Sequence, residues 1–197
     1  HLSSVGLERE TKAFDGAKPL GRIGSTGYSL GTHLHLCIID MEMRTLINPL
    51  LVLPPFADGE TPVVKELSLR TGRGTVPAHS GMRVRPSTVE VLAQAYDLRE
   101  DVSFLWKMAP YRISLYQDGR ETGSLILDGL HERPSGSGGP EKALLVSNRS
   151  FREVYESAWW FRLGEVELAS GETTLSVFVA DFGGNESSKD YLLRVTE

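Results

Sequence analysis

The sequence has little cysteine, no long apolar run and no excess of basic charge, and each absence excludes a class of protein. Cys37 is the only cysteine in 197 residues, so the chain has no internal disulfide framework. The longest apolar run, Leu50 to Phe56, contains two prolines and is too short to cross a bilayer, so no transmembrane segment is expected. The net charge of −5 argues against a nucleic-acid partner, because phosphate neutralisation needs a basic surface.

What the chain does contain is a globular composition that changes character at a proline-rich stretch. Hydrophobic residues make up 40% and charged residues 24%, which is typical of folded domains. Residues 54–62 hold three prolines and a glycine, which disfavour regular structure and predict a linker. We therefore divide the sequence into residues 1–53, the linker 54–62 and residues 63–197.

Residues 63–197 alternate apolar and polar positions with a period of two. Such alternation predicts strands with one buried face, and it occurs around Val89–Ala95, Tyr111–Leu115 and Leu175–Val179. Turn residues separate these runs, and Asp118-Gly119 predicts a hairpin. The sequence thus predicts an all-β fold whose C-terminal part is an antiparallel β-sandwich of short strands.

Other segments of this region carry weaker signals. Residues 133–140 are predicted to form a flexible loop, and residues 148–160 a helix or coil. The turn Asp181–Asn185 separates two predicted strands. The ending Val179–Ser187 resembles the last hairpin of bacterial immunoglobulin-like or fibronectin-like modules.

Residues 1–53 are punctuated by glycine and lead to two closely spaced histidines. About 50 residues bury too little surface to fold securely alone, so this region is expected to belong to a larger domain. The run His33–Ile39 is β-prone, and in a strand His33, His35 and Cys37 would share one face. One imidazole can bind a metal while its neighbour handles a proton, because the pKa of histidine lies near neutrality. Two histidines at this spacing are by themselves more often solvated residues.

Several segments around these histidines form one ordered motif. They are His1-Leu2-Ser3, Gly16, Gly21-Arg22-Ile23-Gly24, Gly27-Tyr28-Ser29-Leu30-Gly31, His33-Leu34-His35 and Ile47-Asn48-Pro49. This motif resembles that of the lysostaphin-type (LytM-like) zinc peptidases, a family that cuts peptidoglycan. The resemblance covers residues 1 to about 53 and implies a partial β-sheet peptidase core, which the immunoglobulin-like sandwich would follow. Thr32 and Leu36-Cys37 depart from the usual residues without removing a metal ligand.

The resemblance assigns a role to each of three histidines. His35 corresponds to a zinc ligand, His33 to the general base or polarising partner, and His1 to a residue that stabilises the oxyanion. The two other zinc ligands belong to an H-x-x-x-D motif, which this sequence lacks and which is expected upstream of His1. The implied cofactor is Zn²⁺, and the implied reaction is hydrolysis of peptide cross-links between the peptide stems of peptidoglycan. The implied location is the cell envelope, either periplasmic or secreted.

Two alternatives stand beside the peptidase. The first is a non-catalytic envelope protein of the same fold that binds or regulates cell-wall hydrolases, which adds a possible envelope protein partner. The second is a biotinyl or lipoyl carrier barrel, because Lys18–Gly24 resembles such domains. Carriers need a lysine at a hairpin tip flanked by Met or Asp, and neither Lys12 nor Lys18 has these flanks.

The remaining chemistry-bearing residues have structural interpretations. Cys37 is predicted to be a small hydrophobe rather than a ligand. His79 and His131 lie in polar, turn-rich segments and are predicted to be solvated. The aromatic cluster of Trp159, Trp160 and Phe161 is predicted to pack on the core rather than stack on sugars.

Overall fold

The structure is a computed structural model that describes residues 37–53, 58–98, 107–132, 144–146 and 149–197. The chain divides into two compact units, His1–Cys37 and Ile38–Glu197, and the account below concerns the second. The prediction of an all-β fold is confirmed. No helix within the described ranges is long and apolar enough to span a membrane.

Short strands dominate the described residues. A 3-10 helix occupies Pro49–Leu51, and one helical turn, α1, occupies Phe151–Val154. The strands are β1 (Ile38–Asp40), β2 (Thr45–Ile47), β3 (Val63–Thr71), β4 (Gly74–Pro77), β5 (Met82–Val84), β6 (Ser87–Tyr96), β7 (Arg112–Gln117), β8 (Arg120–Ile126), β9 (Gly129–Glu132), β10 (Leu144–Val146), β11 (Arg149–Ser150), β12 (Tyr155–Ser157), β13 (Trp160–Leu168), β14 (Gly171–Ala180) and β15 (Glu186–Val195).

Two five-stranded sheets enclose one hydrophobic core. Their strand orders are β12-β13-β6-β3-β4 and β5-β15-β14-β7-β8. Every pairing is antiparallel except that of β5 with β15, which is parallel. The apolar positions predicted to face inward on β6 and β14 are buried, which confirms the period-two interpretation; they are Val89, Val91, Ala93, Ala95, Leu175, Val177 and Val179.

The hairpin between β7 and β8 forms at the predicted turn. Asp118 and Gly119 have φ values of 51° and 80°, and two successive positive φ values match the twist of a tight hairpin. The Asp118 carboxylate also accepts hydrogen bonds from Thr173 Oγ1 and from the Thr174 N–H, each at 2.8 Å. The turn is thereby tied to the neighbouring strand β14.

The segment predicted to be helix or coil contains both a helical turn and a strand. Ser150 caps α1 by accepting from the Glu153 N–H, and the Glu153 carboxylate accepts from the Ser150 N–H, which forms a capping box. β12 follows at once, and Trp159 packs against the core as predicted. The predicted loop 133–140 lies outside the described residues.

A third sheet, made of shorter strands, combines β1 and β2, which precede the two large sheets in sequence, with three strands that lie between β8 and β12 in sequence. Its order is β1-β2-β9-β10-β11, and β2 pairs with β9 from Thr45↔His131 to Ile47↔Gly129. Asn48 extends this contact, because its N–H donates to Asp128 O at 2.8 Å and its Nδ2 to Leu127 O at 2.9 Å. The predicted division into 1–53, 54–62 and 63–197 stays a prediction.

The two large sheets meet backbone to backbone at one corner. Gly123 of β8 lies so close to β13 that a methyl group at its Cα would be 2.2 Å from the carbonyl oxygen of Leu163. The register of strand pairing shifts near this contact in both sheets. The pairing of β8 with β7 shifts between Leu115 and Tyr116 of β7, and the pairing of β13 with β6 shifts between Arg162 and Gly164 of β13. Such irregularities bend strands, and they allow this close approach.

An ion-pair network crosses the outer face of the sheet that contains β6. Glu156 accepts from Arg70 at 2.5 Å and from Arg162 at 3.2 Å, and Arg70 also pairs with Glu90 at 3.1 Å. The hydrogen bond from Arg70 holds the pKa of Glu156 below its ordinary value, with a further contribution from Arg162. The network joins β3, β6, β12 and β13.

Candidate functional site

The three histidines that carry the predicted chemistry lie outside the described residues. They are the predicted catalytic His1 and His33 and the predicted zinc ligand His35. Cys37, the next residue on the predicted face, is described and is exposed immediately before β1. The expectation that Cys37 packs as a small hydrophobe is therefore wrong.

The two described histidines do not form a metal site. His79 is exposed, as predicted. His131 is half-buried, and its Nδ1 lies 2.8 Å from Thr45 Oγ1, so the prediction of a solvated side chain is wrong there. The cause is the pairing of β2 with β9, which covers the imidazole from one side.

Three aspartates converge at one end of the sandwich. Asp97 follows β6, Asp181 follows β14, and Asp58 precedes β3. One carboxylate oxygen from each lies within 4.8 Å of those of the other two. Asp97 and Asp181 are buried, with 4% and 3% of their surfaces exposed. Antiparallel pairing explains the convergence, because the start of β3 and the end of β6 lie side by side.

Neutral groups donate hydrogen bonds to each aspartate of this three-aspartate group. Asn185 donates to Asp181 through both its backbone N–H, at 2.9 Å, and its Nδ2, at 2.8 Å. The same Nδ2 donates to the backbone oxygen of Asp58 at 2.9 Å. The Leu98 N–H donates to Asp97 Oδ1 at 2.9 Å. In the described part of the chain, neither Asp58 nor Asp181 forms an ion pair with a cation.

The donor set determines which metal ions the group could hold. Carboxylate oxygens suit hard cations such as Ca²⁺ and Mg²⁺, whereas zinc sites of the predicted kind use histidine nitrogen. The three-aspartate group is therefore a different site from the predicted zinc centre. Among the described residues it is the one cluster of ligand-type side chains that could hold a metal ion. The same hydrogen bonds also close the turn between β14 and β15, so the group has a structural role in any case.

A small cavity adjoins the three-aspartate group. Its volume is about 270 Å³, and Asp58 and Asp97 are among its lining residues. Tyr111 and Phe182 form an edge-to-face pair on its wall, with ring centroids 5.2 Å apart. Most of the lining is apolar, and the volume is slightly below the range of ordinary small-molecule sites.

Sequence reasoning missed the three-aspartate group because no local motif contains it. Each aspartate is a single residue at the end or start of a different strand, and only the turn Asp181–Asn185 had been recognised as a feature. The Asp-x-x-x-Asn spacing within that turn was the one available signal.

Comparisons with known proteins bear on the sandwich. Residues 61–196 match the sequence model of an uncharacterised protein family. The match begins two residues before β3 and ends one residue after β15, so it spans both large sheets. No curated protein and no solved structure matches the chain.

Proposed function

The chain belongs to this uncharacterised family through residues 61–196, and we propose that it is part of a zinc-dependent endopeptidase that hydrolyses peptide cross-links of bacterial peptidoglycan. The observation that carries the proposal is the ordered resemblance of residues 1–53 to lysostaphin-type peptidases, ending in His33-Leu34-His35. The sandwich is then an accessory module, and the protein acts in the cell envelope, periplasmic or secreted.

The roles of the chain's own residues follow from that resemblance. His35 would hold the zinc ion, His33 would accept and return the proton, and His1 would donate to the developing oxyanion. Zinc held by three protein ligands leaves one position for water and lowers the pKa of that water.

The first test uses the 197-residue polypeptide. It contains no H-x-x-x-D motif, so it offers one of the three expected zinc ligands. We expect substoichiometric zinc by elemental analysis and no hydrolysis of muropeptides. A content of one zinc ion per chain would contradict this expectation.

The second test uses the natural full-length protein with matched histidine variants. His35→Ala should abolish both bound zinc and muropeptide hydrolysis, whereas His33→Ala should abolish hydrolysis and retain zinc. His79→Ala is the control, because His79 is exposed on the sandwich and should change neither. Full-length protein that binds no zinc and hydrolyses nothing would refute the peptidase and favour the non-catalytic envelope protein.

The accessory role needs point variants rather than removal of the sandwich. Deleting residues 63–197 would also remove β9 and leave β2 with only one of its two strand partners, β1. Loss of activity after such a deletion would therefore not separate targeting from folding. Variants in a surface cleft, described next, avoid this difficulty.

A further inference from the structure

A cleft of about 510 Å³ opens at one edge of the sandwich, between the two large sheets. The first sheet ends there in β4 and the second in β5, so two edge strands flank the opening. Apolar side chains from four strands line it, namely Leu69, Val76, Val84 and Val89. Leu69 and Val89 are buried, whereas Val76 remains 44% exposed. The cleft thus has an apolar floor that the fold leaves open to solvent.

Two arginines stand on the rim of this cleft, which we name the basic cleft. Arg73 lies in the turn from β3 to β4, and Arg85 follows β5. Both are exposed, and within the described ranges neither guanidinium has an ion-pair or hydrogen-bond partner. Arg70 and Arg162, by contrast, are paired with Glu156. The rim therefore offers ten N–H donors that no described residue uses.

Backbone hydrogen bonds fix the positions of both arginines. The Arg73 N–H donates to Thr71 Oγ1 at 3.2 Å, which closes the turn. Next to Arg85, the Val84 oxygen accepts from the Thr196 N–H at 2.9 Å, and β5 is paired with β15. The two guanidinium groups thus extend from anchored backbone on opposite sheets, which lowers the entropy cost of binding a ligand between them.

We propose that the basic cleft binds a short, carboxylate-bearing peptide. Guanidinium groups recognise carboxylates through paired hydrogen bonds, and the valine and leucine floor suits aliphatic side chains. The outer edge of β4 has no strand partner in the described part of the chain, so an extended peptide can pair with it. The volume fits a peptide of a few residues. A long polyanion is disfavoured, because the chain as a whole carries −5.

This inference is independent of the peptidase proposal. The basic cleft lies entirely within the span matched by the family and contains none of the three predicted site histidines. The occupant is an extended segment of another protein, because a continuous α-peptide backbone can pair along the outer edge of β4. The peptide stem of the wall also carries carboxylates, but its γ-glutamyl linkage interrupts such a backbone. The experiment separates these two occupants.

The test measures binding of defined peptides to the 197-residue chain by NMR titration. The first probe is acetyl-leucyl-glutamyl-valine, and its neutral counterpart is acetyl-leucyl-glutaminyl-valinamide. We expect saturable shifts for residues of the basic cleft with the acidic peptide, weaker affinity in high salt, and no binding of the neutral peptide. A third probe, alanyl-γ-D-glutamyl-diaminopimelate, represents the wall stem. Tighter binding of the first probe supports a protein segment, and tighter binding of the wall-stem probe would overturn this occupant.

Variants on the rim provide the decisive comparison. Arg73→Gln and Arg85→Gln should each weaken binding of the better acidic probe about tenfold, the effect of losing a charge-assisted hydrogen bond. Arg120→Gln is the matched control, because it removes the same charge from an exposed position away from the basic cleft. Arg120 lies at the start of β8, at the opposite edge of its sheet from β5. Equal affinity for acidic and neutral peptides, unchanged affinity in both rim variants, or no binding of either acidic probe at millimolar concentration would each overturn the proposal.

Discussion

Replacement of Gly123 by alanine tests how tightly the two large sheets are joined at their corner. The added methyl carbon would be 2.2 Å from the Leu163 carbonyl oxygen and 3.3 Å from its carbonyl carbon. Real Cβ atoms essentially never approach such an atom closer than 3.0 Å, so the backbones must separate by at least the difference, 0.8 Å. The obstacle is backbone rather than a mobile side chain, and Leu163 itself is 1% exposed.

The expected loss follows from overpacking and from a smaller gain in the unfolded chain. Overpacking costs roughly 1–3 kcal/mol or more, and a Gly→Ala change recovers roughly 0.4–1 kcal/mol by restricting the unfolded state. We therefore expect Gly123→Ala to lower the free energy of unfolding by about 2 kcal/mol and Tm by about 4–8 °C. Urea titration and thermal scans followed by tryptophan fluorescence would measure both.

Gly72→Ala is the control for this substitution. A methyl group at Gly72 would meet no atom within 4 Å, and its backbone is outside the left-handed region. Its free energy of unfolding should stay within about 0.5 kcal/mol of the original. If Gly123→Ala were as stable as Gly72→Ala, the close contact between β8 and β13 would be refuted.

Four further substitutions probe the outer network, the core and the three-aspartate group. Glu156→Gln removes the partner of Arg70 and Arg162 and should lower the free energy of unfolding by about 0.5–1 kcal/mol at neutral pH, measured by urea titration. Because the folded pKa of Glu156 is lowered, the advantage of the original residue should shrink as pH falls below the ordinary value of 4.5; a difference that grew with acid would contradict the ion pair. The buried Tyr191 hydroxyl has no hydrogen-bond partner among the described residues, so Tyr191→Phe should leave stability unchanged or raise it by about 1 kcal/mol in thermal scans, and a loss would reveal a partner. Asn185→Ala should cost about 1–2 kcal/mol through its lost side-chain hydrogen bonds. Asn185→Asp should cost more at pH 7 than at pH 4, because it adds a fourth carboxylate; equal stability of the two variants at pH 7 would count against that repulsion.

The sandwich was predictable where its residues carry local signals. Val89–Ala95 and Leu175–Val179 alternate over enough positions to identify strands with one buried face, and Asp118-Gly119 specifies its turn by backbone conformation alone. The small sheet has no such signal. β1 and β2 have three residues each, which is too short for an alternation of apolar and polar residues to be visible. β2 also pairs with a distant strand, β9, whose first residue, Gly129, is 84 residues after Thr45. Parallel pairing of β5 with β15 was missed for the same reason.

The candidate sites divide along the same line. The histidine motif is contiguous, so sequence alone supports its interpretation, and it stays a prediction. The three-aspartate group and the basic cleft are assembled from single residues on separate strands, and only the pairing of those strands brings them together. Arg73 and Arg85 have no distinguishing sequence context, because an unpaired cation is recognised only once its neighbours are known.

The pairing of Thr45–Ile47 with Gly129–Glu132 decides where the polypeptide can be shortened. A version that began at residue 61, where the family match starts, would bare one side of β9 and remove the Asn48 donors from Leu127 and Asp128. An exposed strand edge with unpaired backbone groups can pair with a strand of another molecule, so this truncated protein should aggregate during purification. A protein that begins at Ile38 retains the pairing of β2 with β9, so it is the truncated form to prepare for crystallisation or NMR.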